Sequence, residues 1–172
     1  CYTFGYDSAF NLGMLLREKV MDVLEAMTGN RVNYGVGTIG GVRRDITPQV
    51  AGAIEEMVEY YKREFSYFYN AVTEDPIVKA RMRNVGVLSE KDAVRYCAVG
   101  PTARASGLRV DLRWSSPYEA YEDLNVEPIV PQDYFGNAQG DVFDRFFVRV
   151  MEVYQSLEII EQCMDGLPEG PI

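Results

Sequence analysis

The chain has 172 residues, 47% of them hydrophobic, and seventeen Lys and Arg against twenty-six Asp and Glu give a formal charge of −9. That length and apolar content suffice for one sizeable core and read most simply as a single domain over 1–172. The acidic balance argues against a nucleic-acid surface. No run reaches the roughly eighteen apolar residues that a membrane-spanning helix needs, and no signal peptide precedes the first helical pattern. The absence of histidine removes the usual general base, the commonest zinc ligand and any serine– or cysteine–histidine pairing. Three cysteines, Cys1, Cys97 and Cys163, form no CxxC pair and fit reduced, cytosolic-side thiols better than a disulfide framework. The opening on Cys1 and the Pro/Gly-rich turn before Ile172 read as cuts inside a longer protein, so an excised central piece is expected.

The first helix is expected from Asp7 or Ser8, as N-cap, to Thr28, with Gly29 as the residue that ends it. Its apolar face reads as Phe10, Met14, Val20, Val23 or Leu24, and Met27. A second begins at Thr47-Pro48, a cap followed by proline at the first helical position, and runs to about Val72. Ile54, Met57 or Val58, Tyr61, Phe65, and Phe68 or Tyr69 make its unusually aromatic stripe. Asp75-Pro76 starts a short helix to about Arg83. Ser89-Glu-Lys-Asp92 resembles a capping box, with Asp in place of Glu, and opens a helix through about Val99. From Gly100 to Gly140 turns dominate, with one possible strand, Leu108 to Trp114, alternating apolar with charged residues.

The last helix starts at Asp141 as cap, with Asp144 complementing the positive end of its dipole. Phe143, Phe146 or Phe147, Val150, Val153 or Tyr154, Leu157, Ile160 and Met164 recur at helical spacing up to Gly166. Cys163 falls on that stripe, where cysteine behaves as a small buried hydrophobe. The fold class is therefore mainly α: a bundle of three long helices plus shorter ones, with a small irregular or β insert around 100–140.

Three segments stand apart from this pattern. Asn30 to Asp45, containing Ile39-Gly-Gly-Val-Arg-Arg-Asp45, holds four glycines and ends on two cations and an anion. Gly100-Pro-Thr-Ala-Arg-Ala-Ser-Gly107 and Gly140-Asp-Val-Phe-Asp-Arg145 follow, the latter leading into Ser156-Leu-Glu-Ile-Ile-Glu-Gln-Cys163. In this order and at these separations the chain, from about Gly5 to its end, resembles one family. It comprises the large subunits of energy-converting membrane-bound [NiFe] hydrogenases and the quinone-site subunit of respiratory complex I (NADH:quinone oxidoreductase). Asn30-Arg-Val-Asn-Tyr34 looks more like the hydrogenase branch, because complex I members usually have a histidine-rich start to this loop. Pro117-Tyr-Glu-Ala-Tyr121 occurs on the complex I side too, so the branch stays open.

The resemblance implies a central helical scaffold of a redox subunit, whose parent passes electrons from iron–sulfur clusters to protons or to quinone. Family members hold their nickel–iron centre with cysteine pairs near the two ends of the subunit, and neither motif occurs here. No residue is carried over as a metal ligand, and no cofactor is expected in this piece. Arg43, Arg44, Asp45, Arg104, Asp111, Asp141, Asp144 and Arg145 occupy matched motif positions and are the candidates to border the nickel–iron or quinone cavity. Structural ion pairing is the stronger expectation for each taken singly, and Arg104 is expected to meet Asp111, Asp141 or Asp144. Thr3 stands where family members tend to have an acid, which weighs against a proton or quinone role there. The implied partners are a small iron–sulfur subunit and membrane subunits, on the cytoplasmic side of a membrane complex. Two other classes stand beside this one: a subunit-interaction module presenting the aromatics of the second helix, and a carboxylate enzyme using Tyr118, Glu119 and Asp123.

Overall fold

The computed structural model describes residue 3, residues 5–168 and residue 170; Cys1 lies outside the described residues. Among the described residues the protein is mainly helical, with a small two-stranded sheet. Its chain divides into two compact units, Cys1–Val72 with Met164–Ile172, and Thr73–Cys163.

In the first unit, α1 (Asp7–Thr28) and α2 (Pro48–Thr73) run antiparallel. A Cβ on Gly13 would lie 3.6 Å from Phe68, while Lys19 further along α1 stands 5.6 Å from the Tyr60 ring, earlier on α2. Helix α1 follows Tyr6, whose side chain makes no capping bond, so neither Asp7 nor Ser8 caps it. It stops where expected: Gly29 takes φ 82 and its N–H donates to Glu25 O at 2.7 Å. Its inward residues are Ala9, Leu16 and Met21, whereas Phe10 and Met14 are 42% and 40% exposed. The expected stripe chose large side chains; the close approach of Phe68 instead selects the small Gly13 on the inward face. Helix α2 follows its periodicity, with Thr47 Oγ1 accepting from Val50 N and Ile54, Met57, Val58, Tyr61 and Phe65 buried. Between the helices, β1 (Gly37–Thr38) pairs antiparallel with β2 (Gly41–Val42) around an Ile39-Gly40 turn.

In the second unit, α3 (Pro76–Met82) is capped by Asp75, and α4 (Glu90–Arg95) by Ser89, whose Oγ accepts from Asp92 N and donates to Asp92 Oδ2. Helix α4 stops well before Val99, because Cys97 takes φ 52. Helix α5 (Gly100–Ala105), α6 (Leu112–Ser115), a 3-10 turn at Glu119–Asp123, and α7 (Gln132–Phe135) follow. The strand expected over Leu108–Trp114 is absent. Asp111 caps α6 by accepting from Arg113 N, and Val110 and Leu112 are exposed, so the alternation has no apolar face to bury. Helix α8 (Val142–Asp165) buries Phe143, Phe147, Val150 and Leu157 as its spacing requires, together with Val148 and Ile159. Cys163 is exposed, contrary to expectation, because it lies in the last turn, beyond the helix's buried residues.

Candidate functional site

Helix α5 ends by turning Arg104 inward, 6% exposed, in the Ala103–Ser106 run that is buried throughout. Its Nε and Nη2 both donate to Glu152 Oε1 on α8, the first at 2.8 Å, and Nη1 donates to Val110 O at 3.0 Å. Asp111 Oδ2 lies 3.2 Å from the same Nη1. Asp111 in turn accepts two bonds from Arg113, at 3.0 and 2.8 Å, in the fork geometry that suits guanidinium and carboxylate. Those side-chain bonds from Arg113 chiefly hold the Asp111 carboxyl below its usual range; burial opposes them, while the Arg113 and Arg104 charges assist. Arg113 is raised reciprocally, first by its bond to Asp111. Two cations and two anions thus tie α5, α6 and α8 into one cluster.

A second cluster closes the start of α8. Asp141 and Asp144 are both fully buried. Asp141 Oδ1 accepts from Asp144 N, and its Oδ2 accepts from Asn84 N at 2.9 Å. Asp144 Oδ2 accepts from Gln139 N and Gly140 N, and its Oδ1 accepts from Arg83 Nη1 at 3.0 Å. Asp141 thereby caps the helix start through Asp144 N, while its Oδ2 and the Asp144 carboxylate satisfy loop amides at 84, 139 and 140. Burial pushes the Asp144 carboxyl up, and the Asp141 charge adds to it; the Gln139 and Gly140 amides and Arg83 pull the other way without cancelling it. The Arg83 guanidinium also lies 3.8 Å from the Phe143 ring centre, a cation–π contact.

Arg145 joins this cluster through carbonyls, donating to Gly140 O at 2.7 Å and Gly86 O at 2.8 Å. Leu88 N donates to Gly140 O, and Val142 N to Val85 O, so residues 84–88 are laced to 139–142. Gly140 sits at φ 66, and a Cβ there would come within 2.1 Å of Leu88 O. Only glycine lets the two backbones approach this closely.

Arg43, Arg44 and Asp45 belong to neither cluster; all three are exposed. The Arg44 guanidinium lies against Gly29, 2.9 Å from where a Cβ would stand, at the carbonyl end of α1. Asp45 Oδ1 accepts from Ile46 N. The structure therefore brings together Arg104 with Asp111, and Asp141 with Asp144 and Arg145, but not Arg104 with Asp141 or Asp144. Glu152 and Arg83 are the participants that the motifs did not mark. Glu152 follows Val148 by one helical turn on a stripe continued by Ile159, so a charge on a buried stripe was its signal. Nothing in the spacing marks Arg83.

The carboxylate-enzyme candidates Tyr118, Glu119 and Asp123 are all exposed around the 3-10 turn. On α2, Tyr61 and Phe65 are buried and Phe65 stacks on Phe68, while Tyr60, Phe68 and Tyr69 are half-buried and Tyr67 is exposed. Among the described residues no group of three or more His, Cys, Asp or Glu is placed to hold a metal ion. Cys97 and Cys163 are free, exposed thiols, and these residues do not fit a nickel–iron centre, which needs converging thiolates.

Residues 4–172 match the family described as "Respiratory-chain NADH dehydrogenase, 49 Kd subunit". The chain belongs to this family. It is 45% identical over 172 residues to the alpha subunit of the membrane-bound hydrogenase of Pyrococcus furiosus, covering 99% of this chain and 40% of that protein. It is 38% identical over 170 residues to the C/D subunit of the NADH-quinone oxidoreductase of Phocaeicola vulgatus, covering 99% of this chain and 32% of that protein. A chain from the solved structure of the membrane-bound sulfane sulfur reductase, an archaeal respiratory membrane complex, superposes with a TM-score of 0.89 at 35% identity. That match covers 99% of this chain and 44% of the other. The chain thus spans under half the length of these relatives of the 49 kDa family, and their names denote three different terminal reactions.

Proposed function

We propose that this 49 kDa-family chain is the central helical scaffold of the large subunit of a membrane-associated redox complex of the hydrogenase or NADH:quinone oxidoreductase type. The observation that carries this is the use made of four buried motif charges and the half-buried Arg145. Arg104, Asp111, Asp141, Asp144 and Arg145 are each engaged with a partner side chain or backbone group of the second unit, which is what rigid positioning of a neighbouring reaction centre needs. In such a parent the nickel–iron centre or quinone, when bound, supplies the redox chemistry. These residues fix the elements around it, and none of them is assigned to a chemical step. Among the described residues no helix is long and apolar enough to cross a membrane. Peripheral attachment on the cytoplasmic side, through iron–sulfur and membrane subunits, is part of the same proposal, supported by relatives that are subunits of membrane-bound complexes.

The test is turnover per assembled complex. In full-length complexes isolated from membranes, Arg104→Met and Asp144→Asn should lower hydrogen evolution or quinone reduction together with the yield of assembled complex. Full activity in assembled Arg104→Met complex, at normal yield and thermal stability, would refute a positioning role.

A further inference from the structure

We draw no further inference here: the strongest candidate, the cavity of about 390 Å³ lined by residues 87–90, Ser106, Gly107, Gln132, Ala138 and Gln139, carries nothing, because the unmet acceptor of Gln132, its Oε1, is sealed from solvent and nothing in the structure shows what fills the space.

Discussion

Replacing Arg104 by Met removes a cation and keeps a long, unbranched apolar stem. Four contacts go: two donations to Glu152, one to Val110 O, and the pairing with Asp111. They are not equivalent. Asp111 keeps both bonds from Arg113, so its charge stays compensated. Glu152, whose side chain is 18% exposed, loses its cation while still mostly covered. Breaking a buried ion pair from one side costs about 3–5 kcal/mol, and the residual solvent access of Glu152 together with the surviving Asp111–Arg113 fork places this case near the lower end, at about 3 kcal/mol. For a chain of this size that corresponds to a fall of roughly 6–12 °C in melting midpoint. Urea unfolding followed by circular dichroism measures the loss. A cycle with Glu152→Met isolates the pair: the double variant should be more stable than the two single losses predict by about 1–3 kcal/mol, as for residues in one network. A loss under about 1 kcal/mol with additive single changes would show that Arg104 and Glu152 do not share a buried interaction.

Gly140→Ala combines a left-handed backbone with a clash against Leu88 O and should cost at least about 2–3 kcal/mol by thermal unfolding. Gly40→Ala, at φ 91 but with nothing within 4 Å, should cost only the backbone share, about 1–2 kcal/mol. Equal losses at the two positions would remove the case for the 84–88 and 139–142 lacing. The two aspartates should give opposite pH dependences. Asp111, held low in the fold, contributes stability above its unfolded value of about 3.9, lost as pH falls through its folded value. The Asp111→Asn penalty should therefore fade in acid. Asp144, pushed up, stabilises the fold most below the unfolded value and loses that contribution as pH rises through its folded value. The Asp144→Asn penalty should be largest in acid and shrink on the way to neutrality. Parallel profiles would contradict the assigned environments. Arg31→Ala, at a clamp whose members are a third to more than half exposed, should barely move the melting midpoint, and less still at high salt, because exposed ion pairs are screened by solvent.

Local rules made much of this fold legible. Asp75 before Pro76, Ser89 before Asp92, Gly29 after Thr28 and Asp141 before α8 each satisfy helix ends with groups close in sequence, so spacing alone located them. The apolar stripes of α2 and α8 were readable because long periodic runs outvote single residues. The face of α1 was legible only in part: Val20, Val23, Leu24 and Met27 are half-buried, but Phe10 and Met14 are exposed, and the fit of Gly13 to Phe68 is a relation between two helices. The alternation at Leu108–Trp114 imitated a strand, but the capping bonds of Asp111 are stronger local instructions than a period of two over seven residues. At the charge clusters the motifs supplied Arg104, Asp111, Asp141, Asp144 and Arg145, while Glu152 and Arg83 reach them from 48 and 61 residues away. Such pairings depend on how helices are set in space, and a lone charge on a buried stripe is the trace they leave in sequence.

The most direct test of the scaffold assignment is the composition of what the full-length protein carries with it. Affinity purification from detergent-solubilised membranes through a tag on this protein, with quantitative mass spectrometry, should recover a subunit with iron–sulfur-binding cysteine motifs at one-to-one stoichiometry, alongside membrane-spanning subunits. Recovery of this protein alone, as a homogeneous soluble species with no iron–sulfur companion, would contradict the assignment.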